Sequence, residues 1–217
     1  MRLFQRTPAI NSEPENNTGP AGTALDVICP VLLAVPADKR ALTGREKVAF
    51  LSARARKALD LSARETGIVL GGLEKDDAGA PLPSNGYYWS LAHKSDYVTA
   101  VAADVPVGID IEKIKAVSQG LYKKIASDEE WDLSTENRQR LFFRYWTAKE
   151  AVLKVAGTGI GELSRCRIAG VEDERRLLLD FKGEPVAVRH FFYDRHVIAV
   201  TDVGCPVELK ILKIEIK

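Results

Sequence analysis

Along this chain, short apolar and β-branched runs alternate with stretches of helical period, and together they set out a provisional list of elements. Val27 to Val35 is apolar with Pro30 inside it, which predicts a first strand near a sheet edge, because proline cannot donate to a ladder. Ala37 to Leu59 predicts a helix. Its apolar positions Val48, Leu51, Ala55 and Leu59 recur at helical spacing, and Arg45, Lys47, Arg54, Arg56 and Lys57 give the rest a basic character. Gly79 to Gly86 is rich in turn formers, and three strands are expected after it: Tyr87 to Leu91, Val98 to Ala103 and Val107 to Ile111, arranged as a meander. From Leu121 to Ala156 the period is helical again. Leu141, Phe142, Tyr145, Val152 and Ala156 form a buried stripe in what should be the longest helix, ended by Gly157. The remainder, Leu163 to Lys217, reads as strands at Arg176 to Phe181, Pro185 to Phe192, Val197 to Thr201 and Val207 to Ile216.

Helix followed by strands, twice over, indicates an α+β protein of two similar halves, although no residue-level repeat accompanies it. The expected organisation is a leader at 1–23, an N-terminal half at 24–106 and a C-terminal half at 107–217. Asn11 to Thr23 carries almost no apolar side chain and so cannot repay ordering entropy by burial; a mobile leader is expected there.

Composition narrows the function classes. At 217 residues, 46% hydrophobic and 28% charged, the chain suits an ordinary globular core. Its 31 basic residues nearly balance its 30 acidic ones, which gives no reason to expect a nucleic-acid or membrane binder, so any basic site must be local. Cys29, Cys166 and Cys205 are odd in number and lack metal-ligand spacing, which indicates core thiols in a reducing compartment. Neither a secretory signal nor a run of roughly 20 apolar residues is found, so the expected location is the cytoplasm.

Two motifs carry candidate chemistry. In Gly108-Ile109-Asp110-Ile111-Glu112 the alternation of a strand places Asp110 and Glu112 on one face. Alone, such a pair is more often a solvated strand end, here paired with Lys113 and Lys115. In Trp146-Thr147-Ala148-Lys149-Glu150-Ala151-Val152-Leu153-Lys154 the spacing puts Trp146, Lys149, Glu150 and Lys154 on one broad helical face. Alone, this is more often a surface ion pair between Glu150 and Lys154 beside a core tryptophan. In combination, three carboxylates and two lysines match what magnesium and phosphate together require: a few oxygen ligands, and cations for the phosphate oxygens that the metal leaves.

In this order and at this separation the two motifs resemble those of the 4′-phosphopantetheinyl transferases, of the larger tandem-domain, surfactin-synthetase-activating type. The likeness runs from about Val27 onward and includes the Gly79-Ala80-Pro81 turn and the strand Ser90-Leu91-Ala92-His93. It implies a pseudo-dimer in one chain, a monomer in solution, with coenzyme A between the halves. It further implies transfer of the phosphopantetheine arm to a serine of an apo acyl or peptidyl carrier protein, with adenosine 3′,5′-bisphosphate leaving. Asp110, Glu112 and Glu150 match the family's magnesium ligands, and Asp110, Glu150 and Lys154 its catalytic residues, Glu150 as the base. Lys154 and Lys149 would meet the pyrophosphate and His93 the 3′-phosphate. Ala80 and Ala92 replace a basic residue and a serine that are frequent in the family, leaving Lys94 and Arg45 as candidates to hold the 3′-phosphate instead.

Carrier docking is expected on Lys113 to Trp131, where Leu121, Tyr122 and Ile125 would form an apolar patch ringed by lysines. A catalytically idle module that binds coenzyme A or a carrier, and an unrelated magnesium-dependent phosphohydrolase, are the alternative functions. The intact acidic and basic set argues against the first, and the lack of a further acidic or histidine cluster near the motifs against the second.

Overall fold

The computed structural model describes residues 24–213, so the leader at 1–23 and the last part of Val207 to Ile216 lie outside the described residues. The elements stack as helix, sheet, sheet, helix, with one apolar core in each of the three gaps. The α+β expectation holds.

The first sheet has the order β2-β3-β1-β9, built from β1 (Val31–Ala34), β2 (Tyr88–His93), β3 (Tyr97–Ala103) and β9 (Lys210–Leu212). β1 pairs antiparallel with β3 and parallel with β9, so it lies inside the sheet and not at its edge. Pro30 precedes β1 and uses only its carbonyl, which accepts from the Lys210 N–H at 2.9 Å. That accommodates proline in an interior position. β3 is buried on both faces: Val98, Ala100 and Ala102 face the helix α1 (Gly44–Glu65), while Tyr97, Val101 and Ala103 face the second sheet.

Helix α1 begins seven residues later than the periodicity indicates, after a 3-10 turn at Ala37–Lys39, and runs on to Glu65; its 22 residues make it longer than the motif-bearing helix. Leu51, Ala55 and Leu59 are buried as expected, whereas Val48 is 58% exposed. Arg54 leaves the basic face: its guanidinium is buried, and Nε donates to the Ala34 carbonyl at the end of β1.

The second sheet, order β4-β8-β7-β6-β5, comprises β4 (Ile109–Lys113), β5 (Cys166–Val171), β6 (Arg176–Phe181), β7 (Glu184–Tyr193) and β8 (His196–Thr201). β5 to β8 form an antiparallel meander and β4 adds beside β8. The meander expected for β2, β3 and β4 is therefore broken. β2 and β3 make a hairpin, and the chain then crosses at 104–108 to the other sheet.

The helical stretch from Leu121 to Ala156 is three helices: α2 (Gln119–Ile125), α3 (Asp128–Trp131) and α4 (Arg138–Val155). Ser127 and Glu130 form a reciprocal capping box that starts α3, and the Asn137 side chain accepts from the N–H groups of Gln139 and Arg140 to start α4. Gly157, at φ +64, ends α4 where a left-handed residue is needed. Leu141, Tyr145, Ala148 and Val152 bury their side chains against the second sheet. Cys29, Cys166 and Cys205 are all buried.

Candidate active site

β2 is the edge of the first sheet and β4 the edge of the second, and the two edges run past each other at the junction of the halves. The buried hydroxyl of Ser90 ties them, accepting the Ile109 N–H at 3.2 Å. Ile109 and Ile111 drop into the core between the sheets, so Asp110 and Glu112, at the alternate positions, leave on the opposite face, where α4 lies. The alternation read from the motif is thus realised.

Gly108 sets how close β4 comes to α4. A Cβ on it would lie 1.9 Å from the Ala151 carbonyl oxygen and 2.9 Å from Val155 Cγ2, so only glycine fits. Thr201 fixes the same residue from β8, its Oγ1 accepting the Gly108 N–H at 2.9 Å. This close approach brings the last turns of α4 over the acidic strand.

Lys154, on that last turn, crosses the junction. Its ammonium donates to the Ile109 carbonyl at 2.8 Å and to Asp110 Oδ1 at 2.9 Å on β4, and reaches the Leu91 carbonyl of β2 at 3.5 Å. The two motifs therefore meet through one ion pair. Lys94, just past β2, places its ammonium 2.6 Å from Glu112 Oε1. Asp110 is buried, and its Oδ2 has no hydrogen-bond partner.

Glu150 is partly buried one turn before Lys154. Burial pushes its carboxyl above the usual range, and the charges of Asp110 and Glu112 push in the same direction against Lys154 and Lys94. Burial likewise raises Glu112, partly offset by Lys94. His93, at the end of β2, is held neutral first by burial and then by Lys154 and Lys94. Asp110, Glu112, Glu150, Lys154, Lys94 and His93 thus share one electrostatic neighbourhood. Among the described residues, no group of three or more histidine, cysteine or carboxylate side chains is arranged as a ready-made metal cage.

Other expected residues are elsewhere. Lys149 turns away from the junction: its ammonium is buried, donating to the Ile125 carbonyl at 2.6 Å and to Glu130 Oε1 at 3.0 Å. Glu130 also accepts the N–H groups of Ile168 and Ser127, and these bonds with Lys149 hold it ionised although burial opposes them. Lys149 therefore anchors α2, α3 and β5 to α4 rather than facing a ligand. Arg45 is exposed in the first turn of α1 and no described hydrogen bond or ion pair joins it to the junction. Ala92 packs into the core between the sheets, so its side chain has no access to a surface ligand.

The docking patch is also revised. Ile125 and Trp131 are buried, and Tyr122 packs edge-on to Phe142 at 5.0 Å, which leaves Leu121, 37% exposed, beside the exposed Lys123 and Lys124. Three features of the site escaped the sequence: the packing role of Gly108, the Ser90 tie, and the Glu130 network that occupies Lys149. The signal for the first was the glycine opening the acidic motif.

Below Lys154 a small cavity of about 40 Å³ opens between Pro81, Trp89, Val107 and Val155. Pro81, from the turn at Gly79–Pro81, thus lines the same side of the junction as the end of α4.

A profile of the 4′-phosphopantetheinyl transferase superfamily matches residues 106–201, a segment that contains both motifs. The chain is 37% identical over 83 residues to the 4′-phosphopantetheinyl transferase psf-1 of Bacillus pumilus, covering 36% of this chain and 35% of that protein. It is 35% identical over 98 residues to the 4′-phosphopantetheinyl transferase HetI of a Nostoc species, covering 42% and 41%. A third relative is the human L-aminoadipate-semialdehyde dehydrogenase-phosphopantetheinyl transferase, 29% identical over 131 residues and covering 50% and 42%. In each case the match spans less than half the length of the relative. Acidic strand, lysine-bearing helix and superfamily profile coincide in one segment, and it is through residues 106–201 that the chain is similar to the 4′-phosphopantetheinyl transferase superfamily.

Proposed function

We propose that this protein transfers the 4′-phosphopantetheine arm of coenzyme A to a serine of an apo acyl or peptidyl carrier protein, with magnesium, releasing adenosine 3′,5′-bisphosphate. The ion pair between Lys154 of one motif and Asp110 of the other is the observation that supports this most, because it assembles acids and a cation at the junction of two sheet edges. The names of the relatives point to the same reaction.

The donor set fits a hard divalent cation. Asp110 Oδ2 is a buried carboxylate oxygen without a partner, and Glu112 and Glu150 are the acids that share its field. These three residues would hold magnesium, which supplies charge neutralisation at the pyrophosphate when bound. Lys154, held in place by two carbonyls, presents its ammonium to a pyrophosphate oxygen and stabilises charge as the phosphorus–oxygen bond breaks. Glu150 is the carboxylate that accepts the serine proton, directly or through a water. Neutral His93 can donate to a phosphate oxygen of the nucleotide.

In this reading residues 24–106 and 107–217 act as halves of one pseudo-dimer, the second carrying most of the metal and catalytic residues. The protein works as a cytoplasmic monomer; no helix among the described residues is long and apolar enough to cross a membrane. The test is incubation with coenzyme A, magnesium and apo carriers of the fatty-acid, polyketide and peptide classes, followed by intact-mass spectrometry. A phosphopantetheine adduct on the carrier is expected. Failure with all three classes overturns the proposal, and breakdown of coenzyme A without an adduct would identify a hydrolase.

A further inference from the structure

The two lysines at the junction are held differently. Lys154 is fixed by the carbonyls of Ile109 and Leu91 as well as by Asp110. Lys94 has its backbone pinned, its N–H donating to the Tyr97 carbonyl at 2.8 Å, but its side chain is 38% exposed and is joined to the cluster by its ion pair with Glu112. Glu112 itself is 15% exposed. When ionised, a carboxylate this buried, beside Asp110 and Glu150, is stabilised by a positive neighbour, and Lys94 provides it.

A divalent cation that takes Glu112 as a ligand must compete with that ammonium for the same oxygens. We infer that Lys94 is a resident counter-ion of Glu112 which the incoming cation displaces, so that Lys94 sets the metal affinity of the site. This rests on the proposed role of Asp110, Glu112 and Glu150 as metal ligands. The exposed, flexible arm lets the ammonium swing out into solvent while the better-anchored Lys154 stays. Lys94 is thus a positioning residue whose place in the resting site is the one the metal needs.

Binding of Mn²⁺, followed by electron paramagnetic resonance without coenzyme A, tests this in the full chain. Lys94→Met should bind Mn²⁺ about tenfold more tightly than wild type, because one competing positive charge is gone. Lys94→Arg should stay close to wild type, and Lys113→Met, whose partner is Asp96 at 2.6 Å, should leave the affinity unchanged. In a chelator, Lys94→Met should melt below wild type, and saturating Mn²⁺ should erase the difference, which a merely structural lysine would not allow. Equal or weaker Mn²⁺ binding by Lys94→Met overturns the displacement while leaving the metal reading intact. A wild type that takes up no Mn²⁺ overturns both.

Discussion

Gly108 lies so close beneath the carbonyl of Ala151 that a single methyl group cannot be placed between them. That contact sets the distance between the acidic strand and the helix that carries Glu150 and Lys154. Gly108→Ala should therefore act twice, on stability and on the site. We expect a loss of about 1–3 kcal/mol in urea denaturation, the usual cost of overpacking, together with a loss of activity beyond what the unfolded fraction explains. Gly120→Ala is the control, since nothing lies within 4 Å of its added carbon and α2 gains a better helix former. Destabilisation equal in the two variants would refute the close-approach argument.

Glu150 and Lys149 are neighbours in sequence but face different surroundings, and substitution should separate them. Glu150→Gln should lower kcat about 10²–10⁴-fold, the range for losing a general base, with the melting temperature held or raised because a buried charge is removed. Lys149→Met should instead destabilise by about 3–5 kcal/mol, since it strands the Glu130 carboxylate. The folded fraction of Lys149→Met should keep the wild-type KM for coenzyme A. A raised KM in that variant would return Lys149 to the binding site.

The position of Lys149 shows where sequence reading stopped. Strand alternation gave Asp110 and Glu112 a common face, and helical spacing brought Glu150 and Lys154 together; both relations are local and were legible. One step of about 100° around a helix moves Lys149 from the face of Glu150 to its flank, and whether that flank is solvent or core depends on Glu130 and Ile168, which are not local. The same limit applies to β1. Its partner β9 is too far along the chain for Pro30 alone to reveal, so a proline that usually marks an edge sits beside an interior strand. The single helical stretch from Leu121 to Ala156 hid two breaks, at Ala126-Ser127 and before Asn137. There capping side chains, not hydrophobic period, decide the boundaries.

His190 should make the protein sensitive to mild acid. Its ring is fully enclosed, Nε2 donating to the Arg144 carbonyl at 3.1 Å, and burial followed by the Arg144 charge lowers its pKa to about 3. The unfolded chain binds a proton near the ordinary histidine value, 6.5, whereas the native state does not. Stability from this group is therefore complete above that value and is lost as pH falls toward about 3, with a limiting slope of about 1.4 kcal/mol per pH unit. Urea denaturation of wild type and His190→Gln at several pH values between 7.5 and 5 should show their difference shrinking with acid. A constant difference would contradict it.

Lys123 and Lys124 are the exposed cations left beside Leu121 once Tyr122 and Ile125 are assigned to the core. If an acidic carrier docks there, Lys123→Glu with Lys124→Glu should raise the KM for carrier several-fold at low salt and leave the KM for coenzyme A unchanged. The effect should fade as ionic strength rises. Unaltered carrier kinetics at low salt would place docking on another face.

The parallel pairing of Val31–Leu33 with Lys210–Leu212 has a consequence for how the molecule is made. A ribosome delivers β1 long before its parallel neighbour β9, with the whole second sheet made in between. Until then one side of β1 offers bare amide and carbonyl groups to any passing strand, the hazard of an unguarded edge. The first sheet is thus completed by a strand that follows the whole second sheet in sequence, so the nascent first half cannot reach its final form ahead of the second.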